Sequence, residues 1–352
     1  MPVMPRHPGD ASVAVLIPAK DAAGTIVRAV RSALSQREVA EVLVIDDGST
    51  DGSGTSASSA DDGTGRLRIL RQVNAGPSAA INNGHDASRS EFVCVLDADD
   101  FFVEGRLARL FAEAGSGWTM AADRLLLARE GAEDGPYEPW AGAIPSDNRL
   151  TFAQFVAGNV TDRTRPRTEL GYLQPVFRRS FIDAHGLRYN EGVRLGEDYL
   201  FYAEALARGA DFRVTNSFGY VAVSRAQSLS HRHSSADLKA LLEADRKLAK
   251  LPGLLPQDLR ALARHSTDVR RKWVYHLALD AKAEGELGRA LPTLLMNPDA
   301  LCFAIFQTAR ARTRPTGPAA SGTAELRERS TVAIDEPQPP PSVANETVAP
   351  SV

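Results

Sequence analysis

Three short apolar runs in the first hundred residues each break off into a turn that carries acidic side chains. Ser12 to Ile17 (SVAVLI) leads into Pro18-Ala19-Lys20-Asp21, and Glu41 to Ile45 (EVLVI) into Asp46-Asp47-Gly48-Ser49-Thr50-Asp51. Glu91 to Leu96 (EFVCVL) leads into Asp97-Ala98-Asp99-Asp100. Runs that are apolar throughout, without alternation, fit strands buried on both faces, as in a mostly parallel sheet covered by helices. A weaker run, Arg66 to Leu70, lies between the second and third. Ile26, Ala29, Val30, Ala33 and Leu34 form the stripe of an amphipathic helix between the first two runs. Gly76 and Pro77 suit the turn and first position of another helix, expected to run through about Ala87. The predicted fold class is therefore α/β, with a mostly parallel sheet flanked by helices.

Further on, Tyr199, Tyr202, Ala203 and Leu206 form a second helical stripe that starts at Gly196-Glu197-Asp198. From Ser235 to Arg312 the pattern is mostly helical, with Leu238, Leu241 and Leu242 on one stripe and prolines at 252, 256, 292 and 298 as breaks. This predicts a C-terminal helical extension over 236–312. Residues 313–352 contain seven prolines and no aromatic residue. Such a composition offers too little apolar surface to offset the entropy of ordering, so this tail is expected to be disordered.

Composition excludes several classes. With 41 Lys plus Arg against 44 Asp plus Glu, bulk charge does not drive binding to nucleic acid. Cys94 and Cys302 are the only cysteines, which argues against a disulfide framework or a thiolate metal site and for a reducing cytoplasm. The opening MPVMPRHPGD has no apolar run and does not read as a secretory signal. No apolar stretch approaches the ~20 residues of a membrane helix.

In an open parallel sheet, ligands bind beyond the carboxyl ends of the strands, where these acidic turns are expected. Carboxylates gathered there repel one another unless a cation or hydrogen-bond donors compensate them. Hard oxygen ligands suit Mg2+ or Mn2+, and Mg2+ is usually held by one or two carboxylates plus substrate phosphates. Taken alone, Asp46 to Ser53 reads equally well as a turn with Asp as helix cap.

The order PAKDAAGTI, VLVIDDGSTDGS, NAGPSAA and VLDADD resembles the nucleotide-binding half of inverting GT-A glycosyltransferases of family 2. The resemblance implies residues 1–110 as the nucleotide-sugar-binding half and 111–235 as the acceptor and catalytic half of one GT-A domain. It implies Asp47, helped by Asp46 and by Pro18 and Ala19, for the nucleoside. Asp97 and Asp99 are implied as a DxD motif contacting donor and divalent metal, with Asp99 the stronger metal candidate. Asn74 and Asn82 are weaker donor-site candidates, because Ile81 stands where the family often has an arginine. Gly196-Glu197-Asp198 is similar to the family's ED motif, which implies Asp198 as the catalytic base with Glu197 in support. At the first turn of a helix the macrodipole favours the ionised carboxylate, so Asp198 is expected to be charged at neutral pH. His231 and His233 alternate in SLSHRHS and are candidate metal ligands, the plainer reading being a solvated loop. Trp118, Trp140 and Trp273 read as core aromatics before sugar platforms.

Several longer stretches, among them SLSHRHSSADL, look like rhizobial succinoglycan glucosyltransferases. That implies a UDP-glucose donor, a lipid-linked exopolysaccharide acceptor and work at the inner face of the cytoplasmic membrane. The apolar segment from Asp299 that ends in Arg310, Arg312 and Arg314 suits an anionic membrane surface, packing on its own domain being equally compatible. Two other classes use parts of the same pattern. A sugar nucleotidyltransferase would leave Glu197-Asp198 without a task, and a non-catalytic nucleotide-sugar-binding scaffold would not need both acidic motifs intact.

Overall fold

The computed structural model describes residues 11–140, 142–160, 170–224, 234–285, 287–300 and 302–303. The first run becomes β1 (Val13–Ala19), followed by α1 (Ile26–Leu34), β2 (Val39–Asp46), α2 (Ser53–Ser58), β3 (Leu67–Arg71), α3 (Pro77–Ala87) and β4 (Phe92–Val95). All five residues of the α1 stripe are buried, as the spacing predicts. Pro77 opens α3 directly after Gly76, which has a φ of 92°. Gly84 lets α3 approach the sheet closely, since a Cβ there would lie 2.7 Å from Ile45 Cδ1.

The chain continues through β5 (Phe101–Phe102), α4 (Arg106–Ala114), β6 (Met120–Arg129), β7 (Glu138–Pro139), β8 (Arg149–Leu150) and α5 (Phe152–Ala157). Then come β9 (Val176–Arg178), α6 (Arg179–His185), α7 (Glu197–Ala207) and β10 (Phe212–Ser224). The described strands form one sheet in the order β3-β2-β1-β4-β9-β6-β10-β5, with β7 beside β6 and β8 beside β10. Strands β1 to β4 pair in parallel, as do β6 and β10, but β9 is antiparallel to both β4 and β6. The sheet is thus mostly parallel in its first half and mixed in its second.

Two side chains brace the sheet beneath the acidic turns. Arg106 of α4 and Asp123 of β6 are almost fully buried, and Arg106 Nη2 donates to Asp123 Oδ1 at 2.7 Å and to the Gln174 carbonyl at 2.8 Å. The guanidinium lies over the rings of Phe102 and Tyr220. Room for it comes from Gly219 of β10, where a Cβ would fall 2.5 Å from Arg106 Cγ. The helical extension consists of α8 (Ser235–Leu248), α9 (Pro256–Ala283) and α10 (Leu287–Leu295). Leu238, Leu241 and Leu242 are buried as their spacing predicts. Among the described residues no helix is long and apolar enough to cross a membrane. The tail and Arg310, Arg312 and Arg314 lie outside the described residues.

Candidate functional site

Strand register fixes which turns meet. Ala19 of β1 pairs with Asp46 of β2, and Leu16 pairs with Val95 of β4, so the turn after β4 emerges beside Pro18 and Ala19. The Asp47 N–H donates to the Ala19 carbonyl at 2.9 Å. Asp46 and Asp47 are both buried. Asp46 Oδ1 accepts from the Ser49 N–H at 2.8 Å, which holds the turn closed. Asp47 accepts from Gln72 Nε2 and the Ala75 N–H at 2.8 Å each and from the Gly76 N–H at 2.9 Å. Its carboxylate therefore shapes the segment from Gln72 to Gly76 from within. Asn74 is exposed on that segment, next to Val73, whose side chain is 89% exposed.

Asp100 fastens the turn after β4 to β10. Its Oδ2 accepts from the Tyr220 hydroxyl and its Oδ1 from the Val223 N–H, both at 2.8 Å. The Tyr220 oxygen in turn accepts from the Asp97 N–H at 3.2 Å. Asp97 and Asp99 stay half-buried at the surface of the turn. Burial, with the negative charges of Asp99 and Glu197, pushes the Asp97 carboxyl up to about 7.

The acidic pair opens α7 after Gly196, whose φ of 73° is the left-handed conformation that glycine adopts without strain. Burial raises the Glu197 carboxyl. Asp198 is raised well above the usual carboxylate range, first by burial and then by the charges of Glu197 and Asp97. Hydrogen bonds from the Tyr189 and Tyr202 hydroxyls act the other way, and Asp198 Oδ1 is buried with no hydrogen-bond partner among the described residues. The helix dipole, worth about 0.3–1 kcal/mol at ordinary sites, favours ionised Asp198 as expected, but desolvation and two neighbouring carboxylates shift the group the other way.

Turns from the two halves of the chain thus bring Asp97, Asp99, Glu197 and Asp198 into one electrostatic cluster. Oxygen donors, mutual repulsion and an orphaned carboxylate oxygen suit a hard divalent cation. Among the described residues no three His, Cys, Asp or Glu side chains form a ready-made metal cage. Mg2+ or Mn2+ is commonly held by one or two carboxylates, with substrate phosphates completing the shell. His231 and His233 lie outside the described residues.

Asn82, a donor-site candidate from its place in the motif, is bonded within the chain to Tyr189 and Glu191. Its Nδ2 donates to the Tyr189 carbonyl at 2.9 Å and to Glu191 Oε1 at 3.1 Å, and its Oδ1 accepts from the Tyr189 N–H at 2.9 Å. Ile81, in the place of the family's arginine, is buried. Trp118 is a core residue packed on Phe92 and Phe111, and Trp140 and Trp273 pack against the core. Asp100, Tyr189, Tyr202 and Tyr220 were not singled out as site residues from sequence. Asp100 stood in the acidic run and Tyr202 on the α7 stripe, but nothing in either pattern names a partner on β10 or at Asp198.

Residues 14–165 match the family model "Glycosyl transferase family 2". The chain is 43% identical over 338 residues to the succinoglycan biosynthesis protein ExoU of Rhizobium meliloti (strain 1021), covering 93% of this chain and 97% of the relative. Among solved structures, Staphylococcus aureus TarS 1-349 in complex with UDP-GlcNAc superposes with a TM-score of 0.58 at 16% identity, over 80% of this chain and 79% of that one. The mannosyltransferase PcManGT from Pyrobaculum calidifontis, in complex with GDP-Man and Mn2+, gives 0.54 at 14% identity, over 86% and 81%. These two likenesses establish the GT-A fold.

Proposed function

The chain belongs to glycosyltransferase family 2, and on that premise we propose that it is an inverting hexosyltransferase of succinoglycan-type exopolysaccharide assembly. In this reading it moves glucose from UDP-glucose to a lipid-linked oligosaccharide. The succinoglycan relative supports the pathway, and the UDP-GlcNAc and Mn2+ complexes of the structural neighbours support a nucleotide-sugar donor with a divalent ion. The observation that carries the reading is the meeting of Asp97 and Asp99 with Glu197 and Asp198, which supports a donor side at the first pair and a base at the second.

The chemistry is a single displacement. The Pro18-Ala19 edge, Asp46, and the segment that Asp47 shapes around Asn74 form the nucleoside side of the site. Asp198 Oδ1, without a hydrogen-bond partner among the described residues, accepts the proton of the acceptor hydroxyl. The hydroxyl oxygen bonds to the anomeric carbon as the bond from that carbon to the diphosphate breaks, and an α-linked donor yields a β-glycoside. Tyr189 and Tyr202 orient the base, and Glu197 keeps negative charge beside it. Asp99 and Asp97 are the residues that would hold Mg2+ or Mn2+. When bound, the ion offsets charge on the departing diphosphate and favours the ionised form of the nearby carboxylates. The lipid-linked acceptor places the enzyme at the inner face of the cytoplasmic membrane as a peripheral protein.

A panel of UDP-, GDP- and dTDP-sugars with Mg2+ or Mn2+ tests this by nucleotide release in the presence of a lipid-linked saccharide. Release of UDP from UDP-glucose, with glucose appearing on the acceptor, is the expected result. Release of pyrophosphate from a nucleoside triphosphate and sugar phosphate would instead identify a nucleotidyltransferase.

A further inference from the structure

The mechanism above leaves unused one buried polar network, where the helical extension meets α7. Asp245 of α8 is fully buried. Its Oδ1 accepts from the Tyr199 hydroxyl at 3.3 Å, and its Oδ2 lies 2.8 Å from His265 Nδ1 and 2.9 Å from the Ser266 hydroxyl of α9. The His265 Nδ1 is also 3.1 Å from the Tyr199 hydroxyl. The Tyr199 ring stacks on His265 at 4.4 Å and on Phe155 at 5.8 Å. Tyr199 is the residue directly after Asp198.

A buried polar network is a weak device for stability, because apolar residues of similar volume often serve as well or better. Its distinctive property is direction. Apolar packing tolerates small rolls of a helix, whereas bonds to a buried carboxylate do not. Successive residues on a helix point roughly 100° apart, so Tyr199 reaches α8 and α9 while Asp198 turns to Tyr189 and Tyr202. A roll of α7 that loosened one set of bonds would displace the other. The extension also closes over the start of α7, since a Cβ on Gly196 would lie 3.6 Å from Leu241 of α8.

We propose that Asp245 and His265 are positioning residues which, through Tyr199, fix the carboxylate of Asp198 for transfer. The helical extension is then part of the catalytic apparatus. The proposal rests on the glycosyl-transfer reading given above, and the unmodified chain tests that reading separately: no sugar transfer by it overturns the reading itself.

Two variants test the positioning role. Asp245→Asn keeps the shape of the side chain and removes its charge. Tyr199→Phe keeps both ring stacks, loses only the hydroxyl, and carries the test alone should Asp245→Asn fail to fold. Turnover should fall by about 10 to 100-fold in each, since misplacement by 1 Å costs on the order of 10²-fold, while donor affinity stays within about twofold. In an Asp198→Asn background Tyr199→Phe should cost no further turnover, because the group it positions is already gone. Turnover within about twofold of the unmodified chain in folded Tyr199→Phe overturns the proposal. So does a loss that multiplies in full with that of Asp198→Asn.

Discussion

The side-chain amide of Asn82 on α3 is bonded in both directions to the main chain of Tyr189, 107 residues further along. Tyr189 carries one of the two hydroxyls that hydrogen-bond to Asp198. A residue of the first half of the chain thereby holds a support of Asp198, the proposed base, in the second half. Asn82→Ala should lower turnover about 10-fold through a loosened base and leave donor affinity within about twofold. Calorimetric titration with UDP-glucose separates the alternatives, because direct contact between Asn82 and the nucleotide would weaken binding by more than that.

Asp99→Ala should abolish the dependence of donor binding on Mg2+ or Mn2+. Asp99 lies in a turn that Asp100 clamps to Tyr220 and Val223 through its own carboxylate. Titrating UDP-glucose with and without Mn2+ measures the difference. An unchanged metal dependence would remove Asp99 from the site.

Asp198→Asn keeps the shape and place of the side chain and removes its basicity. Transfer should fall by roughly 10² to 10⁴, the range for loss of a positioned general base, with donor binding retained. Transfer within a few fold of the unmodified chain would reduce the acidic pair to a helix cap.

Stability should fall with rising pH in the absence of divalent ions. The unfolded Asp97 carboxyl titrates near the ordinary value of about 3.9, whereas the folded one stands at about 7. The folded state binds more protons in between, so stability is fully present below the unfolded value and is lost as pH rises through the folded one. Glu197 and Asp198 shift in the same direction. Melting in EDTA should therefore occur at progressively lower temperature from about pH 5 to 8, and Asp198→Asn should flatten the trend. A melting temperature that climbs across this window contradicts the cluster.

The parallel strands were legible because short continuous apolar runs bounded by turn residues fit strands buried on both faces, and the acidic turns because they follow those runs directly. The antiparallel β9 was not. Its three residues, Val176–Arg178, are too few for a periodic signal, and its place is set by pairing with β4 and β6. Site chemistry divides in the same way. Asp97, Asp99, Glu197 and Asp198 were visible as motifs, but the upward shift of the Asp198 carboxyl comes from desolvation, Glu197 and Asp97, and neither the burial nor the nearness of Asp97 is encoded by sequence spacing. Asp47 was visible as an acid, while its bonds to Gln72, Ala75 and Gly76 come from the fold of the following loop. The Asp245 and His265 contacts were invisible for a similar reason, since they require α8 and α9 to dock on α7.

The insertion of β9 between β4 and β6 has a kinetic consequence. Asp97 and Asp198 become neighbours only when segments distant in sequence have been stitched together around that strand. Their repulsion is therefore expected to arise late in folding, once β9 has paired with both neighbours. An interaction absent from the folding transition state alters how fast the native protein comes apart and not how fast it forms. An Asp97→Asn chain should accordingly outlast the natural one in denaturant while reaching the folded state at the same rate.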